Sequence, residues 1–149
     1  SFDQERPKES ELEFHLTRCK EFFDSILELP ELKKVLVDGV GKPGDLRAAD
    51  RNHLLFRPAG QKVFARATQL LVSRKMGVKD SVVALSKATM WLHEMPWHHI
   101  LWDPVAKVMI TGKTPLAEAQ LLTLAGQEPR NRASAAKLEK ILSSARANG

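Results

Sequence analysis

Apolar residues recur at helical spacing through most of this chain of 149 residues, which predicts a mainly α protein. The apolar positions between residues 11 and 28 follow one another at steps of four and three. They form one face of a predicted helix: Leu12, Leu16, Cys19, Phe23 and Ile26. Pro30 interrupts this pattern. On such a stripe Cys19 is expected to be buried and to behave as a small hydrophobic residue.

The next predicted helix opens at Pro58, because proline has a fixed φ and no N–H and therefore suits the first helical turn. We expect this helix to run to about residue 76 and the rest of the chain to pack around it. Its apolar side carries Val63, Ala67, Leu70 and Leu71, and its polar side carries Lys62, Arg66, Gln69 and Ser73.

A third helix is predicted over about residues 81–94. Asp80 offers an N-cap and Pro96 stops the helix. The apolar spacing places Met95 on the buried side.

The last third of the chain predicts two more helices and a short ribbon. One helix has Thr114 as its N-cap and Pro115 as its first residue, and the other is capped by Asn131 or Ser134. Before them, residues 105–111 alternate between apolar and polar, which indicates an extended segment that pairs with residues 52–56 as a two-stranded ribbon.

These elements predict a mainly α fold, a single helical domain of five or six helices with one short β-ribbon. The chain divides into three parts by its composition. They are an amphipathic helical arm (residues 1–37), a Gly- and Pro-containing linker (residues 38–51) and a basic helical core (residues 52–149).

The composition is that of an ordinary globular protein, with 43% hydrophobic and 28% charged residues. No apolar run approaches the roughly 20 residues that a membrane span needs. The N-terminal residues are polar and charged, unlike a signal peptide. A single cysteine fits an intracellular protein. We therefore expect a cytoplasmic protein without a membrane partner.

Charge is unevenly distributed along the chain, whose net charge is +5. Residues 1–37 hold 6 basic and 9 acidic side chains, whereas residues 38–149 hold 17 basic and 9 acidic ones. A basic body of this kind indicates an anionic partner, most commonly nucleic acid. The candidate DNA-binding residues are Arg47, Arg51, Arg57, Lys62, Arg66, Arg74 and Lys75. The alternative is a solvated helix face without a ligand.

Metal and enzyme chemistry find little support in the sequence. His93, His98 and His99 lie near two carboxylates, but their spacing matches no zinc signature. Three tryptophans around them favour a bulky anchored turn instead (Trp91, Trp97 and Trp102). There is no G-x-S-x-G motif, and the glycines of residues 39–44 lack the ending of a phosphate-binding loop. We expect no metal or cofactor and assign no catalytic residue, and an enzymatic role stays open.

Two motifs carry a family resemblance over roughly residues 50–126. They are the segment Asn52-His53-Leu54-Leu55-Phe56-Arg57-Pro58-Ala59-Gly60-Gln61 and the pair Pro96-Trp97 with Leu101-Trp102-Asp103-Pro104. Together they resemble the C-terminal region of the DGQHR-domain proteins, which include the DndB-type proteins of DNA phosphorothioate modification. The Asp-Gly-Gln-His-Arg motif itself is missing, so the resemblance implies only the helical back half of such a protein.

The resemblance implies a DNA-binding role in transcription regulation of a DNA-modification system. It carries over no catalytic residue. The matching positions Arg57, Pro58, Gly60, Gln61, Trp97, Trp102 and Asp103 are compatible with a structural role. The alternative function is a protein–protein interaction or dimerisation module without DNA contact, in which the predicted 11–28 helix binds a protein partner or a second copy of the chain.

Overall fold

The computed structural model describes residues 9–48 and 51–148, and the side chains of residues 16–47 and 52–144. Within these ranges the predicted mainly α fold is confirmed. The helices are α1 (Glu9–Leu27), α2 (Pro30–Leu32), α3 (Pro58–Ser73), α4 (Val78–Leu85), α5 (Thr114–Leu124) and α6 (Arg132–Asn148). A π-helical turn at Lys33–Val37 and 3-10 helices at Pro43–Leu46, Leu54–Phe56 and Met95–Trp97 connect them. No helix of the described part is long and apolar enough to cross a membrane.

Four short strands form two antiparallel ribbons. They are β1 (Arg47–Ala48) with β2 (Arg51–Asn52), and β3 (Trp102–Asp103) with β4 (Val108–Met109). The predicted pairing with residues 52–56 is wrong, because residues 54–56 form a 3-10 helix and β4 pairs with β3.

A local turn explains why β4 pairs with its neighbour in sequence. The Asp103 carboxylate accepts backbone N–H bonds from Val105 at 2.9 Å and from Ala106 at 3.0 Å. These bonds hold the pKa of Asp103 below its ordinary value. The turn therefore places β4 beside β3, and the two strands pair as a hairpin.

Helix α3 lies at the centre of the fold and packs against α4, α5 and the 3-10 helix Leu54–Phe56. Its predicted apolar side is confirmed, since Val63, Ala67 and Leu71 are buried in the core. Its predicted polar side is also confirmed, because Lys62, Gln69 and Ser73 are exposed and Arg66 is half-buried. Because the apolar side of α3 is buried in the core, its polar side faces outward and carries Lys62 and Arg66.

Helix α4 differs from its prediction at both ends. It begins after Gly77 and ends at Leu85, so Asp80 is not its N-cap and the helix does not reach residue 94. The chain beyond it turns back toward residues 52–54, where the Leu92 N–H donates to the Asn52 carbonyl at 2.8 Å. Long-range backbone pairing therefore replaces the last helical turns, and Met95 is 80% exposed instead of buried.

The apolar stripe of α1 is only partly buried. Ile26 is in the core, whereas Leu16 is 60% and Phe23 is 61% exposed. Cys19 is exposed, so the expectation that it is buried is wrong. The side chain of Leu12 lies outside the described residues. Helix α1 packs on α4, and of the stripe residues whose side chains are described only Ile26 is buried in the core.

The predicted arm shares the core of the rest of the chain. Ile26 and Leu32 belong to the same buried cluster as α3 and α5. Leu46, in the predicted linker, is also buried. The division into three parts remains a prediction from composition.

Candidate nucleic-acid interface

A shallow groove runs along the outward face of α3. Its lining residues, which we call the basic groove, are Lys62, Ala65, Arg66, Gln69 and Arg130. The α3 members share one face because they lie three, four and seven residues apart. Arg130 comes from the segment between α5 and α6. The groove therefore brings together three cationic side chains from two parts of the chain.

A buried carboxylate lies beneath the groove and positions both arginines. Glu118 of α5 is 2% exposed, and its Oε2 accepts a bond from Arg66 Nε at 2.8 Å. Arg130 binds the same carboxylate through Nε at 2.9 Å and Nη2 at 3.0 Å. These bonds raise the pKa of the Arg130 guanidinium above its ordinary value.

The charge of this cluster is only partly neutralised. One carboxylate faces two guanidinium groups, and Lys62 has no ion pair among the described residues. Each arginine is held in a fixed orientation and still has N–H groups that do not bind Glu118. The groove is thus an ordered cationic surface suited to a phosphate.

Sequence reasoning found Lys62 and Arg66 but missed Arg130 and Glu118. Glu118 is the only acidic residue of α5 and lies in an apolar stretch of that helix. A carboxylate is almost never fully buried unless it is paired, so its position was a signal for a cationic partner. The identity of that partner depends on how α5 packs against α3.

Arg57 and Arg47 lie together near the start of α3, outside the basic groove. Arg57 Nε donates to Asn52 Oδ1 at 2.9 Å, and Arg57 Nη2 donates to the Arg47 carbonyl at 2.6 Å. Burial and the nearby Arg47 charge lower the pKa of Arg57. Arg57 therefore ties the β1–β2 ribbon to α3. The side chain of Arg51 lies outside the described residues.

Arg74 and Lys75 lie at the opposite end of α3. Arg74 donates to the carbonyls of Glu128 at 2.6 Å and Pro129 at 3.0 Å, which links the end of α3 to the segment before α6. Lys75 is exposed and has a positive φ of 70°. The structure therefore separates the predicted DNA-binding residues into a central groove and two flanking positions.

The tryptophan and histidine segment forms a packed turn, as its sequence indicates. Trp97 is fully buried, and its Nε1 donates to the Thr89 carbonyl at 2.8 Å. His98 Nε2 lies 2.9 Å from the His93 carbonyl. Within the described residues, no group of three or more His, Cys, Asp or Glu side chains could hold a metal ion.

A buried histidine supports the other side of this turn. His53 Nδ1 accepts the N–H of Leu55 at 3.1 Å, and the ring lies edge-on to Trp91 with centroids 5.1 Å apart. Burial lowers the pKa of His53 to about 4, so the ring is neutral at pH 7. These contacts give His53 a structural role beside the start of α3.

No protein-family model matches the chain, and comparisons with curated proteins and with solved structures find no match either.

Proposed function

We propose that this chain is a DNA-associated regulatory or accessory domain of a DNA-modification system of the phosphorothioation type. It contacts DNA through the basic groove. The observation that carries the proposal is the charge of the segment that contains α3. Residues 51–79 contain seven basic and no acidic side chains, and the structure aligns Lys62 and Arg66 on the outward face of that helix.

The spacing of the α3 cations in the groove suits a duplex surface. Lys62 and Arg66 are separated by four residues, which is about 6 Å along a helix. At 3.4 Å per base pair this distance corresponds to about two base pairs. Two cations over that span neutralise neighbouring phosphates without reading base identity, so the contact positions the protein on DNA and sequence choice comes from elsewhere.

The link to a modification system rests on the resemblance to DGQHR-domain proteins. The structure gives the matching residues physical roles. Arg57 binds Asn52, and Gln61 Nε2 donates to the Leu55 carbonyl at 2.9 Å. A regulatory role and a cytoplasmic location belong to the same proposal.

Lys62→Ala is the sharpest test of the groove, because Lys62 has no structural partner among the described residues. We expect weaker binding to short duplex DNA and a salt slope reduced by about one, the value for one lost phosphate contact. Fluorescence anisotropy between roughly 50 and 200 mM salt measures both quantities.

The matched control is Lys87→Ala, which removes an exposed charge outside the groove. It should leave affinity and slope close to those of the unmodified chain. An equal loss in both variants would contradict the assignment to the groove. If the unmodified chain fails to bind duplex DNA even at roughly 50 mM salt, the DNA proposal is wrong.

A second candidate function is favoured by the exposed part of the α1 stripe. Leu16 and Phe23 are large apolar side chains that the described residues leave uncovered. Such a surface is typical of a helix that docks on another protein chain. In this alternative the chain is an interaction or dimerisation module without DNA contact.

Under this alternative, the double variant Leu16→Glu/Phe23→Glu should abolish self-association and leave the separated chain folded, because both side chains are exposed. Its melting temperature should then no longer depend on protein concentration. Sedimentation velocity measures the oligomeric state. Lys20→Glu is the control, since it reverses an exposed charge on the same helix. Deleting residues 1–37 is a poorer test, because Ile26 and Leu32 are part of the core. An unmodified chain that sediments only as a monomer would contradict self-association.

A further inference from the structure

A small apolar cavity lies beside the basic groove, between the starts of α3 and α5. Its volume is 280 Å³. Pro58, Ala59, Leu101 and Ile110 supply apolar lining, and Lys113 contributes a positive charge. Clefts for drug-sized ligands measure about 300–1,000 Å³, so this cavity suits a single ring system.

Lys62 lines both the cavity and the basic groove. Along α3 the cavity is formed by Pro58, Ala59 and Lys62, and the groove continues from Lys62 to Gln69. Both openings therefore lie on the same side of the helix. A ligand with an apolar ring in the cavity can place an attached anionic group against Lys62 and Arg66.

We infer that the cavity and the groove together bind one nucleotide, with the base in the cavity and the phosphate in the groove. This inference rests on the proposed DNA contact and identifies a single nucleotide as the part of the DNA that the site binds. Neither lining contains a carboxylate, and the Glu118 carboxylate beneath the groove is bound to both Arg66 and Arg130. The combination of a compact apolar space and an adjacent cationic surface matches the two chemical halves of a nucleotide.

The start of α5 adds hydrogen-bond donors to the lining of the cavity. Thr111 and Thr114 bring hydroxyl groups to the lining, and Lys113 is held there by a 3.1 Å bond from its Nζ to the His99 carbonyl. The predicted N-cap role of Thr114 is wrong, because Thr114 is the first helical residue of α5 and no side chain caps the first turn. Its N–H groups carry a partial positive charge and suit the acceptor edge of a base or a phosphate oxygen.

A base in duplex DNA must leave the stack to enter this cavity. Unstacking and unpairing cost a few kcal/mol, and the cost is least for a mismatched or single-stranded base. The inference therefore predicts a preference for DNA with an unpaired base. A free nucleotide has the same chemistry, so the ligand is either a residue of a DNA strand or a mononucleotide.

The test compares three probes by fluorescence anisotropy and competition: a fully paired duplex, the same duplex with one central mismatch, and the four free deoxynucleoside monophosphates. We expect about tenfold tighter binding to the mismatched duplex, the change that corresponds to part of the unpairing cost. Competition by free monophosphates would assign the site to mononucleotides as well as to strands.

Thr111→Trp should place a large side chain in the cavity and leave every charge of the groove in place, because Thr111 lines the cavity and not the groove. We expect it to abolish the mismatch preference and mononucleotide binding while duplex binding persists. Thr123→Trp makes the same change on α5 outside the cavity and should preserve the preference.

The outcomes separate the two proposals. Salt-dependent binding to both duplexes with equal affinity, without mononucleotide binding, overturns the nucleotide pocket and leaves the DNA surface standing. Mononucleotide binding that Thr111→Trp removes, without any duplex binding, supports the pocket and overturns the proposed function. A lack of binding to every probe overturns both.

Discussion

Replacing Gly60 with alanine is expected to destabilise the fold by about 3 kcal/mol or more, because it forces atoms into an occupied space. Gly60 lies in the first turn of α3, against the 3-10 helix Leu54–Phe56. A Cβ at this position would collide with the carbonyl oxygen of Leu54 and lie 2.8 Å from its carbonyl carbon. The obstacle is backbone, which cannot move aside as a flexible side chain can.

The intrinsic helix propensities of glycine and alanine alone predict that the substitution stabilises the helix. Alanine is about 1 kcal/mol more favourable than glycine in a helix interior. A loss of stability in Gly60→Ala must therefore come from the tertiary contact. In a chain of this size each kcal/mol lowers the melting temperature by about 2–4 °C, so we expect a decrease of at least about 6 °C in a thermal melt.

Gly44→Ala is the matched control, because a Cβ at Gly44 meets no atom within 4 Å. It should leave stability unchanged or raise it by up to about 1 kcal/mol through a less flexible unfolded chain. If Gly60→Ala melted at the same temperature as this control, the close approach of α3 to Leu54 would be wrong.

Replacing Glu118 with alanine is expected to cost about 2–3 kcal/mol. Breaking a fully buried ion pair costs roughly 3–5 kcal/mol, because it leaves a charge without a partner. Here Arg66 and Arg130 are 38% and 35% exposed, so their charges regain some hydration when the carboxylate is removed. Chemical denaturation measures the change in the free energy of unfolding.

Glu128→Gln serves as the control for removal of a negative charge. Glu128 is exposed, and its carbonyl, rather than its carboxylate, accepts the bond from Arg74. A surface change of this kind should stay within about 0.5 kcal/mol. Equal stability of Glu118→Ala and this control would contradict the buried cluster of Glu118 with its two arginines.

The same cluster links stability to the proposed DNA surface. Glu118→Gln keeps the side-chain size and removes the negative charge beneath the groove. It also replaces one of the two carboxylate oxygens with an NH2 donor, so that only one of the acceptors that orient Arg66 and Arg130 remains. The carboxylate thus lowers the positive charge of the groove and, at the same time, fixes the arrangement of its guanidinium groups.

Local sequence signals were sufficient for the elements whose ends and faces depend on neighbouring residues. Pro58 marks the start of α3, and the apolar spacing identifies its buried side. Asn131 caps α6, since its Oδ1 accepts the N–H of Ser134 at 2.9 Å. Each of these features rests on contacts within a few residues, which the order of the amino acids already specifies.

Features that depend on distant contacts needed the tertiary structure. The sequence could not show that α4 ends at Leu85, because the competing backbone bonds join residues 90–92 to residues 52–54. Periodicity also could not decide which part of the α1 stripe is covered, because a regular stripe does not specify the area of its partner. Leu16 and Phe23 consequently differ from Ile26 in exposure although all three lie on one stripe.

In the candidate site, too, some features follow from neighbouring residues and others depend on distant contacts. The sequence by itself determined that residues 51–79 are basic, lack acids and place Lys62 and Arg66 on one helix face. Only the tertiary structure decided that Arg66 meets Glu118, 52 positions away, and that Arg130 completes the groove. The physical reason is that charge and periodicity are properties of neighbouring residues, whereas a salt bridge between helices depends on how their backbones pack.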